Sequence, residues 1–86
     1  MLKIYGSMLC PDCVKCCEDL KAANVEFEFF DFADKLSNLK EFLAIRDKSD
    51  LFDSVREVGS IGIPCIVDEE GCISLDWSGY VDQAKA

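Results

Sequence analysis

The sequence predicts an α/β domain with a four-stranded mixed sheet that carries helices on both faces. Its first half shows an apolar run, a helical pattern and a second apolar run, an order that requires a parallel crossover between two strands. Its second half has two short apolar runs joined by the turn-forming segment Asp68-Glu69-Glu70-Gly71, which predicts an antiparallel hairpin. The 86 residues suffice for one core, so we expect a single domain over residues 1–86.

The first strand is predicted at Leu2–Tyr5 and is followed by the loop Gly6–Leu9. Pro11 fits the first position of a helix, because its missing N–H needs no partner there. This helix should run to about Ala23, where Asn24 can adopt the left-handed conformation that ends many helices.

The middle of the chain is predicted to hold one strand and two helices. Apolar and acidic residues alternate over Val25–Phe32, which indicates the second strand. Ser37 is a candidate cap for a helix ending near Arg46, and Ser49 for a short helix ending at Gly59. The apolar residues of the longer helix form a predicted core-facing stripe of Leu36, Leu39, Phe42 and Leu43.

The last part of the chain completes the sheet. The third strand follows Pro64 over Cys65-Ile66-Val67, and the fourth spans Cys72–Leu75. Asp76 can cap a weak terminal helix, in which Gly79 is unfavourable. The predicted order is β-α-β-α-β-β-α, with a short extra helix before the third strand.

The segment Cys10-Pro11-Asp12-Cys13 carries the main functional signal. Its two thiols are close enough in sequence to form a disulfide, and they lie between a strand and the start of a helix. Unpaired N–H groups at a helix N-terminus favour the thiolate form of a cysteine. We therefore expect Cys10 to attack a disulfide sulfur and Cys13, one turn further, to resolve the mixed disulfide.

Charge and composition exclude several classes of function. The chain has 9 basic and 17 acidic residues, a net charge of -8, which argues against nucleic-acid binding and against a polybasic membrane anchor. It has no histidine, so Cys–His catalysis and histidine metal sites are excluded. An apolar span of membrane length and a signal-peptide pattern are both missing, so we expect a cytoplasmic protein without membrane partners.

The dithiol after the first strand, Gly62-Ile63-Pro64 before the third, and the order of elements together resemble the glutaredoxin family, whose members have a thioredoxin-like fold. The resemblance covers nearly the whole chain. It implies a small thiol–disulfide oxidoreductase that reduces protein or low-molecular-weight disulfides through a mixed-disulfide intermediate. It also implies that Pro64 is cis and faces the dithiol, and that the backbone of Ile63 pairs with an extended substrate.

The resemblance makes Cys10 and Cys13 the candidate catalytic residues. The candidate substrate-contacting residues are Leu9, Asp12, Ile63, Pro64 and Trp77. Trp77, the only tryptophan, either packs in the core or lines a wall of the substrate groove.

Two features differ from those common in the family. Asp12 stands where tyrosine is common, and Ser74–Gly79 lacks the Gly-Gly pair that holds the γ-glutamyl end of glutathione. The electron donor is therefore open between glutathione and a thioredoxin-reductase-like flavoenzyme, and we expect no tightly bound cofactor or metal. The negative charge of Asp12 should also disfavour the Cys10 thiolate unless the Lys15 side chain reaches back to offset it. The dithiol is therefore predicted to be a reductant rather than a strong oxidant.

Four further cysteines leave an alternative open. Cys16 and Cys65 are predicted to be core residues, Cys17 is a boundary residue or an auxiliary thiol, and Cys72 has no assigned role. Because Cys10, Cys13, Cys16 and Cys17 crowd together, the alternative function is an iron–sulfur or metal-binding module. Against it, such clusters need an extended loop, whereas the residues from Pro11 onward indicate a helix. A redox-silent interaction domain is a third hypothesis.

Overall fold

The four strands form one mixed sheet. The computed structural model describes residues 1–85. The strands are β1 (Leu2–Gly6), β2 (Phe27–Asp31), β3 (Cys65–Val67) and β4 (Ile73–Ser74). β1 pairs in parallel with β2 and antiparallel with β3, and β3 pairs antiparallel with β4. The predicted four-stranded mixed sheet is therefore confirmed.

The helices lie between these strands in the predicted order. They are α1 (Pro11–Ala22), α2 (Leu36–Lys48), α3 (Asp53–Glu57) and α4 (Ser78–Lys85), with a 3-10 turn at Asp50–Phe52. Within residues 1–85, none of these helices has the length and apolar character needed to cross a membrane.

Helices cover both faces of the sheet, because side chains alternate along β1. On one face, Ile4 packs with Ile66 and with Cys16 and Leu20 of α1, and residues of α4 close this core. On the other face, Tyr5 packs with Cys65 and with the rings of Phe42 and Phe52, which meet edge to face at 5.9 Å. We call these the α1 core and the α2 core.

Several predicted stop and cap positions are confirmed. Asn24 has a φ of 59°, the left-handed conformation expected after α1. Ser49 Oγ accepts a hydrogen bond from the Leu51 N–H at the start of the 3-10 turn. In the hairpin between β3 and β4, Gly71 has a φ of 87° and Asp68 Oδ1 accepts from the Cys72 N–H.

The predicted cap of α2 is wrong. The helix begins at Leu36, and its N-cap is Lys35, so Ser37 lies inside the first turn. The turn before the helix is fixed instead by Asp31, whose carbonyl accepts a hydrogen bond of 2.9 Å from the buried Asn38 side chain. The helix thus begins without a side-chain cap at its N-cap residue, and the bond to Asp31 joins its first turn to the end of β2.

The predicted stripe of α2 is wrong in part. Phe42 is fully buried and Leu39 belongs to the α2 core, but Leu36 is 65% and Leu43 38% exposed. The buried face includes Asn38, a polar residue that a hydrophobic pattern cannot reveal. Its bond to Asp31 removes the cost of burying the amide.

Two strands are shorter than predicted. β2 starts at Phe27 because the Val25 N–H donates to the Leu20 carbonyl and so closes α1. β4 starts at Ile73 because both backbone groups of Cys72 bond to Asp68 in the turn. In each case a turn takes up backbone groups that a strand would have paired.

Candidate functional site

Cys10 occupies the N-cap of α1. Its backbone is extended, with φ −92° and ψ 120°, and its N–H donates to the Ser7 carbonyl at 3.0 Å. Pro11 follows at the first helical position, as predicted. The Cys10 side chain is half-buried and sits beside the unpaired N–H groups of the first helical turn. This position leaves one thiol of the pair accessible at the surface.

Cys13 lies one turn further and is fully buried. Its thiol interacts with that of Cys10, and this interaction adds to the larger effect of burial in raising the pKa of Cys13. Burial raises the pKa of the Cys13 thiol to about 12, while a hydrogen bond from the Ser7 backbone opposes this rise. The pair therefore has the asymmetry expected from the sequence, with an accessible first thiol and a sheltered second one.

Gly6, the last residue of β1, lies directly under the Cys13 sulfur. A Cβ atom at this position would stand 2.5 Å from Cys13 Sγ, closer than two such atoms can approach. Only glycine leaves room for the buried thiol here. Sequence reasoning placed Gly6 in the loop and missed this role, and also missed the bond from Ser7. A glycine just before a two-cysteine motif was the available signal.

Pro64 lies at the same end of the sheet as the dithiol. The Ile63–Pro64 peptide bond is cis, as the resemblance implied, and Pro64 is buried. β1 and β3 pair with Tyr5 opposite Cys65, so continuing this register by one residue sets Pro64 opposite Gly6. Neighbouring strands are about 4.8 Å apart, so Pro64 lies close to the glycine that supports Cys13.

The residues on either side of Pro64 both pack in the α2 core but differ in burial. Ile63 is half-buried against the α2 core, and Cys65 is fully buried in it. Burial raises the pKa of the Cys65 thiol to about 12. The expectation that Cys65 is a core residue is confirmed.

Leu9 and Asp12 flank Cys10 on the outer surface. The Leu9 side chain is 90% exposed, and its N–H donates to Ser7 Oγ at 3.1 Å. Asp12 is exposed in the first turn of α1. Lys15 does not reach back to it, because its Nζ lies 2.9 Å from Asp19 Oδ1, one turn further along the helix. Both flanking side chains are thus open to an incoming molecule.

Trp77 packs against the α1 core at a distance from this surface. Its indole Nε1 donates to Asp19 Oδ2 at 2.9 Å. Asp19 lies about two and a half helical turns beyond Cys10. Packing of α4 on α1 accounts for this position, and a contact between Trp77 and substrate stays a prediction.

The remaining cysteines of α1 face the interior. Cys16 is fully buried and Cys17 is 4% exposed, so the prediction of a core role for Cys16 is confirmed. Burial raises the pKa of both thiols, that of Cys16 to about 12. Among residues 1–85, Cys, Asp and Glu side chains do not come together in any group of three that could hold a metal ion. The helix spreads these sulfurs along its length, whereas a cluster would need them on one loop.

A comparison with curated proteins finds a similarity that covers most of the chain. An uncharacterized protein of Haemophilus influenzae is 33% identical over 75 residues, which cover 87% of each chain. The chain belongs to the family of this protein. No family model matches the chain, and no solved structure matches it. The similarity extends over most of the domain, beyond the dithiol segment.

Proposed function

We propose that this protein is a small thiol–disulfide oxidoreductase of glutaredoxin type with a thioredoxin-like fold, acting in the cytoplasm. The observation that carries the proposal is the pair itself. Cys10 is accessible at a helix N-terminus, and its thiol interacts with that of the fully buried Cys13. The strand order, with parallel β1 and β2 and an antiparallel second half, is compatible with that fold.

In the first step, the Cys10 thiolate attacks one sulfur of a substrate disulfide. A bond forms between Cys10 and that sulfur, the substrate S–S bond breaks, and the second substrate sulfur leaves as a thiolate that takes a proton from water. Cys13 does not compete for the substrate because it is buried and its pKa is raised to about 12. The mixed disulfide is therefore formed on Cys10.

In the second step, Cys13 loses its proton and attacks the Cys10 sulfur. The mixed disulfide breaks, the substrate leaves as its second thiol, and a Cys10–Cys13 disulfide remains. The hydrogen bond from the Ser7 backbone stabilises the Cys13 thiolate during this step. The substrate gains two electrons and two protons, which a donor must return to the enzyme.

We propose glutathione or a thioredoxin-reductase-like flavoenzyme as that donor, and disulfide-containing proteins as substrates. Exposed Leu9 and Asp12 and the chain at Ile63 would line the approach to Cys10. The net charge of -8 supports protein partners over nucleic acid or an anionic membrane.

The proposal is tested by a paired assay. Reduced protein is supplied either with glutathione and glutathione reductase or with thioredoxin reductase, and turnover of 2-hydroxyethyl disulfide and insulin is measured. We expect turnover with at least one donor. Cys10→Ser should abolish it, whereas Cys13→Ser should accumulate a mixed disulfide that mass spectrometry detects. Cys72→Ser, which removes an exposed thiol distant from the pair, serves as the control.

Two results would count against the proposal. One is the absence of disulfide turnover with either donor, combined with a Cys10 thiol that does not react with iodoacetamide. The other is purified protein with visible absorbance that Cys16→Ala or Cys17→Ala removes, which would favour the iron–sulfur module.

A further inference from the structure

Asp12 places a fixed negative charge within the dithiol motif. It lies between the two cysteines in sequence and is exposed in the first turn of α1. The nearest lysine along the helix, Lys15, is bound to Asp19 at 2.9 Å. The charge of Asp12 is therefore not neutralised by that lysine and faces any molecule that approaches Cys10.

The surroundings of the pair add negative charge. Gly6 pairs with Asp31 across the parallel strands, and the Phe32 N–H donates to the Gly6 carbonyl at 2.9 Å. The end of β2 and the turn after it thus bring Asp31 and Asp34 to the dithiol end of the sheet. Lys35 is the single basic residue among residues 31–35.

We propose that Asp12 selects substrates by charge, so that the preferred substrates are disulfides with positive groups close to the sulfurs. This inference rests on the proposed function and specifies its substrate class. A cation beside the attacked sulfur is attracted by the exposed Asp12 carboxylate, and an anion there is repelled. Two opposite charges about 7 Å apart in water attract enough to change a rate about threefold, so cationic and anionic substrates should differ about fivefold to tenfold.

The inference is tested with three small disulfides that differ in charge. Reduced protein reacts with cystamine, a dication, with neutral 2-hydroxyethyl disulfide, and with the dianion of 3,3′-dithiodipropionate. Each rate is divided by the rate of the same disulfide with dithiothreitol, because the leaving thiols differ in reactivity. Two disulfide-bridged peptides, with lysines or with glutamates beside the bridge, form a second pair.

We expect cystamine to react about fivefold to tenfold faster than dithiodipropionate after normalisation, and Asp12→Asn to remove most of this difference. The difference should also shrink in 1 M salt, where the Debye length is about 3 Å. Glu70→Gln is the matched control. It removes the same charge from the exposed β3–β4 turn, at the opposite end of the sheet, and should leave the ratio unchanged.

The outcomes separate this inference from the proposed function. If the neutral disulfide fails to react with Cys10, the proposed function itself is wrong. If it reacts but neither charged pair shows a preference, or if Glu70→Gln changes the ratio as much as Asp12→Asn, only the role of Asp12 is wrong. A preference for positive charge that is seen only with the peptides supports the inference and indicates protein substrates. A preference seen only with the small disulfides supports it and indicates low-molecular-weight substrates.

Discussion

Replacing Gly6 with alanine should destabilise the protein through one contact. The new Cβ would stand 2.5 Å from Cys13 Sγ, about 1 Å inside normal van der Waals distance. Cys13 is fully buried, so its side chain has little room to move aside. Overpacking of this kind costs about 1–3 kcal/mol. We expect Gly6→Ala to lower the free energy of unfolding by about 2 kcal/mol and the Tm by about 8–16 °C.

A double-mutant cycle isolates that contact. In a Cys13→Ala background the sulfur is gone, and the nearest remaining atom is the Cβ of residue 13, at an ordinary 3.5 Å. Gly6→Ala should therefore cost at least about 1 kcal/mol less there than in the wild type. The free energies come from urea unfolding under reducing conditions.

The control and the refuting result are both defined by the structure. Gly79 lies in α4, where an added Cβ atom would meet nothing within 4 Å, so Gly79→Ala should be neutral or stabilising by up to about 1 kcal/mol. If Gly6→Ala costs the same with and without the Cys13 sulfur, the clash is not the cause and the placement of Cys13 over Gly6 is wrong.

Three further predictions concern the core. Gly62 has a φ of +95°, and an added Cβ atom there would stand 2.8 Å from the Phe52 ring. Gly62→Ala should therefore lower the free energy of urea unfolding by at least about 1 kcal/mol more than Gly59→Ala, because Gly59 also has a positive φ but has no atom within 4 Å of the added Cβ. Equal costs would contradict the Phe52 contact. Trp77→Phe removes the bond to Asp19 and should lower the free energy of unfolding by about 1 kcal/mol without slowing disulfide reduction; a slower reaction would instead place Trp77 in the substrate groove. Burial holds the pKa of the Cys16 thiol at about 12 in the folded protein, so the unfolded chain loses that proton first as pH rises above about 9. Between about pH 9 and pH 12 this thiol alone lowers stability by about 1.4 kcal/mol per pH unit, in addition to the effects of the other buried thiols. Cys16→Ala should reduce the slope by this amount; a slope equal to that of the wild type would refute the assignment.

Elements controlled by local chemistry could be predicted from the sequence. Pro11 begins α1, Asn24 adopts the left-handed conformation after it, and Ser49 caps the next turn, because each depends on its own backbone and its immediate neighbours. The positions of Cys10 and Cys13 follow from the same local pattern. Features that depend on contacts between different helices and strands could not be predicted in this way.

The start of α2 and the place of Gly6 illustrate the second class. Asn38 is buried because it bonds to the Asp31 carbonyl, and nothing in the spacing of residues along α2 indicates such a partner. Gly6 matters because α1 folds back and sets Cys13 above it, a contact that exists only in the folded domain. Sequence alone gives the two thiols, but the strand beneath them determines how closely they can be packed.

The burial of Cys13 is compatible with its proposed role in resolving the mixed disulfide. With a pKa of about 12, only a very small fraction of this thiol is ionised at neutral pH. Attack within one molecule offsets this, because well-oriented intramolecular reactions reach effective molarities of about 10⁵–10⁸ M. A more basic thiolate is also the stronger nucleophile once formed. In the proposed mechanism, the position of Cys13 one turn after Cys10 favours attack on the mixed disulfide, while its burial keeps it from attacking other disulfides.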